Sequence, residues 1–89
     1  MTWKIEIVPN AIKELDKLDQ QVAKRILKFL HKRVAPLKDP RSIGDALKGP
    51  RFGEYWRYRV GDYRIITKVE DNIMLILVLR VGHRKQIYN

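Results

Sequence analysis

The dipeptide Gly61-Asp62 constrains the fold of this chain more than any other feature. It separates two runs, Phe52–Val60 and Tyr63–Val69, that are rich in aromatic and β-branched residues. A two-residue turn of this composition joins antiparallel strands, because glycine tolerates the positive φ that a right-twisted hairpin demands of its turn. Val60 then faces Tyr63, Arg59 faces Arg64, and the register is set down to Tyr55 opposite Lys68. Side chains alternate along a strand, so Tyr55, Arg57, Arg59, Arg64, Ile66 and Lys68 share one face, and Trp56, Tyr58, Val60, Tyr63, Ile65 and Thr67 share the other. The second face is the one for helices to cover. On the first, like charges meet directly across the strands, which costs stability unless an anion occupies the face. No acidic residue is expected among them, so the ladder predicts an anion site rather than a mixed, merely solubilising surface.

The remaining elements follow from periodicity. Thr2–Val8 alternates, with Trp3, Ile5 and Ile7 on one side and Lys4 and Glu6 on the other, the pattern of a half-buried strand ended by Pro9. Asn10 is the expected cap of a helix carrying Ala11, Ile12, Leu15 and Leu18. Asp19 is the expected cap of a second, from Gln20 to about Val34, with an apolar stripe of Val22, Ile26, Leu27, Leu30 and Val34. Lys24, Arg25, Lys28, Lys32 and Arg33 lie outside that stripe, as does His31, which is expected to face solvent. Ala35–Ala46, framed by Pro36 and Pro40 and basic at Lys38 and Arg41, holds neither period and reads as a connector. Ile73–Val81 is apolar almost throughout, which suits a central strand with the first strand on its free side. The prediction is one α+β domain over residues 1–89, ordered β-α-α-β-β-β: an antiparallel meander with an N-terminal strand and a two-helix hairpin packed on one face. No internal repeat is visible.

The face of the last strand depends on its turn. With Glu70-Asp71-Asn72 as a three-residue loop and Asn72 left-handed, Val69 faces Ile73, and Arg80 joins the face of Arg57, Arg59 and Arg64. Extension past Gly82 brings Arg84 to the same side. The two-residue alternative puts Arg80 with Trp56 and buries a guanidinium, which disfavours it.

Nineteen Lys and Arg against ten Asp and Glu give a net charge of +9, the footprint of a phosphate-rich partner, although an acidic protein or anionic membrane satisfies the same charge. There is no cysteine, which excludes disulfides and thiolate metal sites, and two histidines do not make a metal cluster. No run is long and apolar enough to span a bilayer, and the N-terminus lacks the regions of a signal peptide, so the expectation is a soluble, cytoplasmic protein without membrane partners.

Three runs taken together, Ala46-Leu47-Lys48-Gly49, Tyr55 through Ile65, and Val81-Gly82-His83-Arg84-Lys85-Gln86-Ile87-Tyr88, resemble the RelE toxins of the RelE/ParE toxin–antitoxin superfamily. The resemblance extends along nearly the whole chain and implies a ribosome-dependent endoribonuclease. Such an enzyme cuts messenger RNA in the ribosomal A site by attack of a 2′-hydroxyl on the adjacent phosphate and needs no metal or cofactor. It implies catalytic positions at Arg57, Arg59, Arg64, Arg84 and Tyr88, with Lys48 as a supporting cation, and a RelB-like antitoxin as partner. Arg51, Lys68 and Arg80 are further candidates for phosphate, and Arg25, Lys28, Lys32 and Arg33 for ribosomal RNA. Arg59 stands where the family can use lysine. A guanidinium is a very poor base, so His83, whose ordinary pKa suits proton transfer at neutral pH, becomes the candidate acid–base group. The competing classes are a ParE-like inhibitor of DNA gyrase, which shares the fold, and a non-catalytic RNA-binding module.

Overall fold

A computed structural model gives the structure of residues 2–47 and 55–87. Pro9 separates its first two elements. β1 (Lys4–Ile7) ends just before Pro9, and α1 (Pro9–Asp16) begins on it, with Val8 in the cap position. Proline has no N–H to lose in the first helical turn and its φ is already helical, so it replaces the expected Asn10 cap. Ala11 and Leu15 are buried, whereas Ile12, expected in the apolar stripe, is 46% exposed. Asp19 caps α2 (Gln20–Phe29) as predicted, its Oδ1 accepting from the Gln21 N–H at 2.8 Å. The helix runs on to Val34 through a π-helical turn, Leu30–Val34. Ile26, Leu30 and Val34 are buried, while the five cations and His31 are exposed.

The connector is more structured than its sequence suggests. A 3₁₀ turn spans Pro40–Ser42, and a two-residue strand, β2 (Asp45–Ala46), adds to the sheet beside β3 (Tyr55–Val60). With β4 (Tyr63–Glu70) and β5 (Leu75–His83), the sheet has five strands in the order β1-β5-β4-β3-β2, with β1 parallel to β5 and every other pair antiparallel. The last strand is thus flanked on both sides, with β1 on its free side as expected. Tyr58, Ile65, Ile76, Val78 and Val81 form the core beneath the helices.

The first hairpin has the predicted register, from Val60↔Tyr63 to Tyr55↔Lys68. The second does not. Val69 faces Ile76 rather than Ile73, because the connector is a 3₁₀ turn, Asp71–Ile73, closed by Met74 in the left-handed region at φ 50°, where Asn72 was expected. Ile73 consequently leaves the strand and is 67% exposed. A bulge also lies between the Thr67↔Val78 and Ile66↔Arg80 pairs, with Leu79 as the additional residue. Arg80 lies opposite Ile66, a different partner from the one the expected register gives, yet on the predicted face.

Candidate functional site

The hairpin end of the sheet gathers arginines on the face away from the helices. Arg57 and Arg59 come from β3, Arg64 from β4 directly opposite Arg59, and Arg84 from the residue after β5. Gly82 lies opposite Arg64 and adds no side chain between them. The Arg84 N–H donates to the Asp62 carbonyl at 2.8 Å, which brings the end of β5 against the hairpin turn.

The expectation of a face without carboxylates is corrected by β2. Asp45 pairs in register with Arg57, and its Oδ2 lies 3.1 Å from Arg57 Nη2 and 3.8 Å from Arg59 Nε. A two-residue strand carries no periodicity, so composition could not place it. The local signal is Gly44 at φ 85°, where a Cβ would meet the Arg57 carbonyl at 2.5 Å and Trp56 Nε1 at 2.7 Å; only glycine lets the chain run so close along β3. Arg64 Nη1 donates to the carbonyls of Gly61 at 2.9 Å and Tyr63 at 3.0 Å, and Arg84 Nε lies 3.8 Å from Asp62 Oδ1. Among the described residues, Asp45 shared by Arg57 and Arg59 and the more distant Asp62 beside Arg84 are fewer than the four guanidinium groups, so the face is net cationic there and of a chemistry that forks onto phosphate oxygens.

His83 is not on this face. It pairs with Tyr63 on the helical side of the sheet, the two rings edge to face at 5.6 Å. Its Nδ1 accepts from the Lys85 N–H at 3.1 Å, so one ring nitrogen is engaged by the turn that follows β5. The reason is parity: His83 is one residue from both Gly82 and Arg84, so it points the other way. Lys68 is on the arginine face but pairs with Glu70 at 3.3 Å. Arg80 is there too, with its guanidinium bonded to Glu14 and to the Ile87 carbonyl. Lys48, Arg51 and Tyr88 lie outside the described residues. Ile66, Leu47 and Ile87 make a small buried cluster on this face, flanked by Tyr55.

The helical cations form a second surface. Arg25, Lys28, Lys32 and Arg33 line a cleft of about 380 Å³ between α2 and the hairpin, with Phe29 and Arg59 in its wall. Arg59 therefore belongs to both surfaces. At the opposite end, Arg41 forks onto Asp71 at 2.9 and 3.0 Å, and this pairing holds the Asp71 carboxyl below the usual carboxylate range. Tyr58 donates to the Pro40 carbonyl at 2.6 Å, and burial pushes its phenol well above its ordinary value. Among the described residues no cluster suits a metal ion, and no helix is long and apolar enough to cross a membrane.

Comparison with known proteins places the whole of this architecture in one group. Residues 5–88 match the profile of the family described as ParE toxin of type II toxin-antitoxin system, parDE. The toxin RelG of Mycobacterium tuberculosis is 25% identical over 99% of this chain and 98% of its own. The toxin–antitoxin complex RelBE2 of the same organism has a chain that superposes with a TM-score of 0.84 at 21% identity, covering 94% of this chain and 93% of that one. A chain of the archaeal RelE-RelB complex from Pyrococcus horikoshii OT3 gives 0.67 at 28% identity, covering 97% and 99%.

Proposed function

The chain belongs to the ParE toxin family of type II toxin–antitoxin systems, and from that premise we propose that it is a RelE-type endoribonuclease acting on messenger RNA in the ribosomal A site. The observation that carries this reading is the arginine face itself. Arg57, Arg59, Arg64 and Arg84 lie at one end of the sheet, where among the described residues Asp45 is shared between the first two and Asp62 stands 3.8 Å from the last. Cleavage through a 2′-hydroxyl removes its proton, forms the bond from that oxygen to phosphorus, and breaks the bond to the 5′-oxygen, which takes up a proton. Extra negative charge accumulates on the phosphoryl oxygens in between, and fixed guanidinium groups stabilise it. Permanently charged arginines suit that task and not proton transfer. With His83 on the far face, the chain's contribution is charge stabilisation and positioning of the RNA. Tyr88 is the remaining candidate to orient the 2′-hydroxyl.

Arg25, Lys28, Lys32 and Arg33 supply a docking surface for ribosomal RNA in this reading, and their attraction fades as salt rises. A RelB-like antitoxin is the protein partner, supported by the structures of RelE with RelB that this fold resembles. Inhibition of DNA gyrase is the second reading, favoured by the ParE description of the family. Mapping of RNA ends on translating ribosomes, run beside a gyrase supercoiling assay, separates the two. New ends at A-site codons with supercoiling unaffected are expected; blocked supercoiling with intact messenger overturns the proposal. Ribosome binding without cleavage assigns the chain to non-catalytic RNA binding.

A further inference from the structure

Arg80 lies on the arginine face, yet its guanidinium is turned to two partners of the fold. Nη2 lies 3.0 Å from Glu14 Oε2 on α1, and Nη1 donates to the Ile87 carbonyl at 3.1 Å. The other Glu14 oxygen, Oε1, accepts from the Val81 N–H at 3.1 Å. The position of this carboxylate follows from the end of β1. The parallel pairing of β1 with β5 stops at Ile7↔Val78, where Pro9 begins α1, so among the described residues the edge of β5 beyond that point has no strand beside it. Glu14, on the second turn of the same helix, accepts the N–H left there and holds Arg80 with its second oxygen.

Ile87 closes the turn that follows β5. The His83 carbonyl accepts from Gln86 and Ile87 at 2.8 and 3.0 Å, and the Ile87 side chain is 5% exposed in the cluster with Ile66 and Leu47. Arg84 sits at the start of this turn, and its own ion contact with Asp62 is long, at 3.8 Å. The direction of its side chain is therefore set by the backbone: the Arg84–Asp62 bond on one side, the Ile87 anchor on the other.

We propose that Arg80 is a positioning residue, a strut from Glu14 to the Ile87 carbonyl that fixes the turn carrying Arg84 to the RNA. The proposal rests on the reading of the arginine face as the cleavage site. It assigns Arg80 a different role from the phosphate contact that its place on the face suggests, and the two roles differ in what they move. A phosphate contact contributes to RNA binding; a strut contributes to alignment, and misplacement by about 1 Å costs on the order of 10²-fold in rate.

Three variants test it: Arg80→Ala, Arg80→Lys and Glu14→Gln. Glutamine still offers an oxygen to Val81 but turns an NH₂ toward the guanidinium. Two readouts are compared, single-turnover cleavage and affinity on messenger-programmed ribosomes, and amide hydrogen exchange at Gln86 and Ile87 in the free protein. For Arg80→Ala we expect cleavage to fall roughly 10–100-fold with ribosome affinity within about twofold, and exchange at both amides to rise about tenfold. Arg80→Lys keeps the charge but not the fork, so it moves both readouts in the same direction. Glu14→Gln has a smaller effect, and the double variant is no worse than Arg80→Ala alone. Unchanged exchange, or affinity lost in step with cleavage, overturns the strut. Exchange is readable without any activity: a wild-type chain that cuts no RNA overturns the reading of the face, and exchange alone then decides whether the strut exists.

Discussion

The two ends of the sheet treat arginine in opposite ways. At the connector end, Arg41 forks onto Asp71 at 2.9 and 3.0 Å and reaches the Val69 carbonyl at 3.4 Å, so its donors are spent on the fold. At the hairpin end, Arg59 and Arg84 stand 3.8 Å from their carboxylates, and Asp45 is shared between two guanidinium groups. A guanidinium that is bidentate to a carboxylate has its charge answered locally. One that is touched through a single nitrogen, beside others of its kind, keeps a field directed at solvent. The difference between the two ends lies in stoichiometry and distance rather than in exposure, since Arg41 and Arg59 are both exposed.

Exchanging the residues on which this contrast rests breaks or sharpens it. Arg64→Ala and Arg84→Ala carry the largest expected effect: each lowers ribosome-dependent cleavage by roughly 10²–10³-fold and removes growth arrest, with Tm little changed. Wild-type toxicity in either folded variant breaks the contrast. Arg41→Ala is its mirror image. It lowers Tm by roughly 2–5 °C through loss of one half-exposed ion pair, while cleavage measured below that Tm stays at the wild-type rate.

The sequence revealed most where alternation was strict. Gly61-Asp62 and the runs on either side of it determined the β3–β4 register, hence the shared face of Arg57, Arg59 and Arg64, and the apolar β5 predicted its own central place. Legibility failed where a single residue shifts the phase. Met74 took the left-handed turn position expected of Asn72, and the bulge at Leu79 changed the register again, so the face of Arg80 was correct although its partner was not. Asp45 and Glu14 were missed for a different reason. Both act across long sequence separation, Asp45 from a strand of two residues and Glu14 from a helix edge, and neither leaves a periodic trace. The placement of His83 required only parity, yet the general aptness of imidazole for proton transfer drew attention away from the face it occupies.

That placement gives a smaller prediction. His83→Gln is expected to change the cleavage rate by less than about threefold, because glutamine can still accept from the Lys85 N–H and the ring lies on the side of the sheet away from the arginines. A loss of 10²-fold or more, together with a changed pH profile, moves the site to the helical side of the sheet.

The smallest effect concerns acid. The Asp71 carboxyl is held below its unfolded value by Arg41, so the stability it contributes is complete above about pH 4 and is lost as pH falls through the lower folded value. Asp71→Asn removes that contribution. The gap in Tm between the wild type and this variant should therefore be constant near neutrality and close below about pH 4. A gap that persists under stronger acid assigns the Arg41 contact to neutral hydrogen bonding instead.

The parallel pairing of β1 with β5 sets the order in which the sheet closes. The first strand made waits for the last, and that last strand lies between β1 and β4 and leads directly to Arg84. Pairings of such wide sequence separation form late, since the loop they close must lose its entropy before the contact is gained. Before β5 docks, the helices and the β3–β4 hairpin lack the strand that joins β1 to β4, and the arginine face has Arg57, Arg59 and Arg64 without Arg84 beside them.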